Sequence, residues 1–199
     1  MTQLIRYLYT GFLALVSPIL LWGLYRKKAN KPKFGSRWKE HFGFTPALSK
    51  DTGGDQVVWI HAVSVGEVLA SKQLILTLKE RYPFATILVT TTTSTGAEQV
   101  EKLGSDIVHR YMPIDFSWCV RLFLKQVNPS LLLVIETEVW PNTIHTVAKN
   151  NTPILLVNAR LSEKSYKNYA KLKRLIIRHL NALTKFSQFM MRIAVDLSC

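Results

Sequence analysis

Five short runs of Val, Ile and Leu, separated by amphipathic stretches, constrain this chain more than any other feature. The runs lie at 57–60, 86–90, 131–135 and 154–157, with a weaker one at 107–111. The amphipathic stretches lie at 65–80, 96–103, 116–126 and 141–150, and a long one follows at 162–183. Strands that read as continuous apolar runs are buried on both faces. In a chain that alternates strand and helix, they imply a parallel sheet covered by helices on both sides. The expected fold from Gln56 onward is therefore α/β, a doubly wound parallel sheet.

That architecture makes a demand on the polar residues. Open parallel sheets bind ligands in the crevice beyond the carboxyl ends of their strands, so unusual polar residues should follow the apolar runs. His61 to Glu67 follow the first run, Thr91 to Thr95 the second, Glu136 to Glu138 the run at 131–135, and Asn158 to Arg160 the last. Separate segments thus converge on one face.

The first of these turns, "HAVSVGEV", has a single glycine, so neither a dinucleotide fingerprint nor a P-loop is supported. It does supply a helix N-terminus, whose free N–H groups suit phosphate or sugar oxygens. Ser64 and Glu67 stand three apart, the spacing of a capping box. On the residues alone, capping is the simpler role for this pair and catalysis the second. Thr95 and Glu98 repeat the spacing, and the hydroxyl run Thr90 to Thr95 offers ligand contacts. In "LVIETEVWPN", Glu136 and Glu138 lie just past a buried strand, where two acids repel unless cations or ligand hydroxyls sit nearby. A structural pairing with Arg160 is the alternative there. His109, His145 and His179 lack metal-ligand spacing and are expected on helix or strand surfaces. Neither a metal nor a cofactor is expected.

The N-terminus narrows the partners. Tyr7 to Tyr25 is an uncharged stretch, followed by Arg26, Lys27, Lys28, Lys31, Lys33, Arg37 and Lys39. As a helix its 19 residues reach about 28 Å, close to one hydrocarbon core. Residues 1–28 are expected to anchor the chain in a membrane, with the basic side facing the cytoplasm. Pro18 leaves an in-plane or re-entrant anchor open. Residues 29–55, with Pro32 and Pro46, read as a basic linker holding a short helix near Arg37 to His41. The formal net charge of +13 suits an anionic partner. Nucleic acid is disfavoured, since no nucleic-acid motif accompanies the basic run. Cys119 and Cys199 are too few for a disulfide framework, which fits a reducing compartment.

The segments "FGSRWKEHFGF", "HAVSVGEV", "VTTTTSTGAEQV", "YMPIDFSWCVRLFLKQVNPSLLLVIETEVWPN" and "NARLSEKSYKNYAKL" together resemble the N-terminal half of the bacterial 3-deoxy-D-manno-octulosonic acid (Kdo) transferases. The resemblance implies the Rossmann-like N-terminal domain of a GT-B glycosyltransferase, here spanning 56–191 and binding the acceptor. It implies transfer of Kdo from CMP-Kdo to a lipid A precursor on the cytoplasmic face of the bacterial inner membrane. Glu67 takes the place of the proton acceptor and Glu136 that of the transition-state stabiliser. Ser64, Gly66, Thr93, Glu138 and Arg160 are the candidate substrate-binding residues.

Family members are about twice as long, and the donor CMP-Kdo binds mainly through a second domain. The ending 192–199, "RIAVDLSC", departs from the family pattern, as after a frameshift, an early stop or a gene split. Independent activity is therefore not expected. The alternative to an enzyme half is a non-catalytic, membrane-anchored domain that keeps only the acceptor cleft.

Burying most of a 19-residue apolar stretch gains many kcal/mol, at about 25 cal/mol per Å². Deleting residues 1–25 is expected to shift the chain from the membrane pellet to the soluble fraction. Full retention of the shortened chain at high salt would refute the anchor.

Overall fold

The computed structural model describes residues 2–26, 32–48, 56–136 and 140–157. An N-terminal helix α1 (Thr2–Tyr25) is followed by a short 3-10 helix (Gly35–Phe42). Strict alternation then begins with β1 (Val57–His61), α2 (Val65–Arg81), β2 (Thr86–Thr91), α3 (Ser94–Glu101) and β3 (Ile107–Tyr111). It continues with α4 (Ser117–Val127), β4 (Leu131–Ile135), α5 (Pro141–Lys149) and β5 (Ile154–Val157). All four strand pairs are parallel, and the order is β3-β2-β1-β4-β5. The doubly wound α/β sheet expected from the apolar runs is confirmed. The stretch at 162–183 lies outside the described residues.

Side-chain alternation along the strands builds two cores. Ile60, Ala62, Ile87, Val89, Leu131, Leu133 and Ile135 pack with Val68, Ile75 and Leu78 of α2 and Val100 of α3. On the other face Trp59, Leu88, Leu132 and Val134 pack with Val120, Phe123, Leu124 and Val127 of α4 and Val147 of α5. Both faces of β1, β2 and β4 are therefore dry, which is why their sequences lack polar alternation.

Within the segment expected as a basic linker, the short helix near Arg37 to His41 is the 3-10 helix, and Glu40 and His41 are buried. Arg37 grips Glu40 with two hydrogen bonds of 2.8 and 3.2 Å, and the Tyr111 N–H donates to Glu40 Oε2 at 2.7 Å. Arg37 also donates to His109 Nδ1 at 2.7 Å. That leaves Nε2 to carry the ring proton toward Thr91 Oγ1, 3.0 Å away. His109 is therefore not a surface residue, contrary to the sequence expectation. Burial, reinforced by the Arg37 charge, pushes its pKa down to about 3. A positive guanidinium on Nδ1 requires the neutral ring.

Gly43 ends the 3-10 helix at φ 83°, in the left-handed region. A Cβ there would collide with the Cys119 carbonyl oxygen and come within 2.9 Å of Leu122 Cβ. Gly66, by contrast, would meet only Ser64 Oγ at 3.9 Å. Backbone strain and overpacking together predict a loss of roughly 2–5 kcal/mol for Gly43→Ala. For Gly66→Ala, at an unstrained helix start, the expected change stays under about 1 kcal/mol. Urea midpoints of the two variants check this, and equal midpoints would refute the assigned backbone fit.

Candidate active site

Strand order reverses between β1 and β4, and there the two chain exits part. His61 is paired with Val134, so β1 and β4 end at nearly the same level. Beyond β1 the chain turns to the face carrying α2 and α3, and beyond β4 to the face carrying α4 and α5. The loop at 62–67 and Glu136, the residue after β4, therefore flank a crevice at the topological switch point. Glu67 stands on one side and Glu136 on the other. Thr93 follows β2, the strand on the far side of β1.

Glu67 is 8% exposed. Its Oε2 accepts the Val63 N–H at 2.7 Å, and its Oε1 accepts the Ser64 hydroxyl at 2.9 Å. Ser64 occupies the N-cap position of α2, with φ −125° and ψ 170°, yet caps no helix N–H with its side chain. The capping box read from the spacing takes another form: Glu67 reaches back past the N-cap to the Val63 N–H, and Ser64 serves Glu67. Gly66 adds no side chain beside them.

The second expected cap moves by two residues. Thr93, not Thr95, caps α3, its Oγ1 accepting the Gly96 N–H at 3.1 Å. Thr93 and Ser94 also border a groove formed with Leu21, Leu24 and Tyr25 of α1 and with Phe34.

Glu136 adopts φ 61°, a left-handed conformation, and its N–H donates to Val157 O at 2.8 Å. A non-glycine residue held there costs about 1–3 kcal/mol and persists only where its surroundings dictate it. Behind it, Trp140 meets the His61 ring edge-to-face at 5.4 Å. His61 is 2% exposed, and its Nδ1 lies 3.0 Å from Thr90 Oγ1, the hydroxyl that also accepts Trp59 Nε1–H at 2.8 Å. The Thr90 hydroxyl itself donates to Met112 Sδ at 3.8 Å, and His61 Nε2 is buried without a hydrogen-bond partner among the described residues. Burial lowers the His61 pKa to about 4, so the ring is neutral at physiological pH.

Sequence reasoning missed Asp115, between β3 and α4. Its carboxylate accepts the N–H groups of Asn142 and Thr143 at 3.1 and 2.6 Å and the Thr143 hydroxyl at 2.7 Å. It also bonds Tyr9 of α1. Burial raises its pKa, and these donors oppose the rise. The signal was present but indirect: Pro141 opens α5 after Trp140, which has no capping oxygen, so the cap must come from elsewhere. Glu138, Arg160, His179 and Cys199 lie outside the described residues. Among the described residues no three His, Cys, Asp or Glu side chains group as metal ligands. Two carboxylates flanking an open crevice suit proton acceptance on one side and stabilisation of developing charge on the other.

Residues 36–196 match the family model for 3-deoxy-D-manno-octulosonic-acid transferase (kdotransferase). The chain is 36% identical over 192 residues to the 3-deoxy-D-manno-octulosonic acid transferase of Haemophilus influenzae, covering 96% of this chain and 43% of that protein. It is 38% identical over 153 residues to the enzyme of the same name in Rickettsia felis, covering 71% and 33%. A bifunctional glycosyltransferase/methyltransferase of Fusobacterium nucleatum is 36% identical over 151 residues, covering 73% and 23%. The chain thus spans less than half the length of these relatives. With the crevice, the carboxylates and these matches together, the chain belongs to the 3-deoxy-D-manno-octulosonic acid transferase family and corresponds to its N-terminal region.

Proposed function

We propose that this chain is the acceptor-binding part of a Kdo transferase working at the cytoplasmic face of the bacterial inner membrane. The donor is CMP-Kdo, held mainly by a second domain, and the acceptor is a lipid A precursor. The observation that carries this reading is the placement of Glu67 and Glu136 on opposite sides of the β1/β4 reversal.

In the proposed step an acceptor hydroxyl oxygen attacks the anomeric carbon of Kdo and forms the new glycosidic bond. Its proton passes to a Glu67 carboxylate oxygen. The bond from the anomeric carbon to the CMP phosphate oxygen breaks, and CMP leaves with that electron pair. Glu136, fixed in its strained turn, stabilises the positive charge that develops on the sugar. Ser64 holds Glu67 in place, while Gly66 leaves room beside it for the acceptor. Thr93, Glu138 and Arg160 complete the substrate contacts in this reading. The chain's net charge of +13 favours a phosphorylated acceptor.

Two substitutions separate chemistry from architecture. Both are measured in a protein joining this chain to the remaining half of the Haemophilus influenzae relative. Glu67→Gln keeps an oxygen for Val63 N–H and an amide for Ser64, so its melting temperature should hold. Turnover should fall by about 10²- to 10⁴-fold, the usual worth of a general base. Unchanged turnover would reduce Glu67 to a turn-closing residue.

Glu136→Gly removes the penalty of a left-handed non-glycine residue and should stabilise the isolated chain by about 1 kcal/mol. In the joined protein the same change should depress turnover. A stabilised variant with full turnover would remove Glu136 from the mechanism.

A further inference from the structure

By length and composition α1 can cross a membrane: the most apolar 18-residue stretch within Gln3–Tyr25 has a mean hydropathy of 1.7. Its contacts argue otherwise. Arg6 donates to Ser117 at 3.3 Å, Tyr9 bonds Asp115, and Thr10 Oγ1 accepts from Asn142 Nδ2 at 2.9 Å. At the other end Tyr25 Oη lies 2.9 Å from His41 Nδ1 and 3.3 Å from Trp38 O. From Arg6 to Tyr25 the helix runs about 28 Å. A spanning helix would have to carry one of these polar contact sets through the hydrocarbon, away from the domain that supplies it.

Burial along α1 follows the same logic. Arg6, Tyr9, Leu13, Val16, Leu21 and Leu24 are half-buried, a stripe at helical spacing along the whole helix. The opposite stripe, including Leu4, Leu8, Phe12, Leu15, Ile19 and Trp22, is exposed and apolar. Pro18 does not break the stripe, because the Ala14 carbonyl it deprives of an N–H accepts the Ser17 hydroxyl at 3.0 Å. Beside the two ends of the helix stand the exposed rings of Trp118 and Trp38. Arg26, Lys33 and Lys39 are exposed at its C-terminal end.

We propose that α1 lies in the plane of an anionic lipid surface, one long stripe on the protein and the other in the lipid, instead of crossing the bilayer. This rests on the membrane-associated reading above and fixes its geometry. A helix with one apolar face, flanking tryptophans and basic residues at its border has the chemistry of interfacial helices, which sink about 5–10 Å into the headgroup boundary. The partners of α1 at Asp115, Ser117 and Asn142, and its groove neighbours Thr93 and Ser94, all belong to the carboxyl edge of the sheet. In-plane seating therefore turns that edge, with Glu67 and Glu136, toward the headgroups.

The test uses the 199-residue chain carrying Cys199→Ser, with Gln3→Cys or Arg26→Cys added singly. Flotation with liposomes containing phosphatidylglycerol comes first: a chain that stays at the bottom overturns the membrane reading itself. In sealed inverted membrane vesicles an impermeant maleimide should label both variants equally before and after lysis. Labelling of Gln3→Cys only after detergent lysis would show a crossing helix and overturn the in-plane geometry alone. Nitroxides on cysteines replacing Leu8, Leu15 and Ile19 should report one shallow depth. A maximum at position 15 would mean a re-entrant helix and would also overturn the proposal.

Discussion

The reversal of strand order between β1 and β4 is the constraint on which the rest of the structure depends. Parallel strands need crossover helices, and a chain winding first one way and then the other must place them on opposite faces. Beyond β1 and β4 the two chain exits therefore part, opening a gap between them. The two cores follow from that winding, one under α2 and α3, the other under α4 and α5. So does the placement of Glu67 and Glu136, 69 positions apart in sequence, after neighbouring strands on either side of the reversal. No local motif could bring them together.

Along the sheet, charged groups are buried in a way that burial alone would forbid. Asp115 escapes the penalty by accepting from two helix N–H groups and two hydroxyls, which oppose the rise in its pKa. Glu40 does so through Arg37 and the Tyr111 N–H, and Arg37 is satisfied in turn by neutral His109. Deleting one partner of such a set leaves the other buried and unpaired, which is the costly case. These networks hold the 3-10 helix and both ends of α1 in register with the sheet edge.

Most of the fold was legible because burial on both faces writes itself as continuous apolar runs. The expected run at 131–135 became β4 residue for residue, and the weaker run at 107–111 became β3. Caps were less legible, since several oxygens compete locally: Thr93 rather than Thr95 starts α3, and α5 takes its cap from Asp115, 26 positions before Pro141. His109 was misplaced because a lone histidine in a strand carries no sign of the arginine that will reach it from another segment. Glu136 was singled out for its charge, but its left-handed backbone has no sequence mark at a non-glycine residue.

Asp115 ties these observations into one mechanical statement. The same carboxylate that fixes the start of α5 also bonds Tyr9 of α1. Trp140, the residue before α5, packs on buried His61 at the end of β1. A force that lifted α1 from the domain would strip a donor from a buried acid and loosen the first turn of α5. The disturbance would reach the loop that begins at Glu136, whose strained backbone survives only while its surroundings hold it. Helix α1 and the turn that bears Glu136 thus share a support. In the proposed reading, membrane seating would stabilise the arrangement of the crevice as well as bring it to the acceptor.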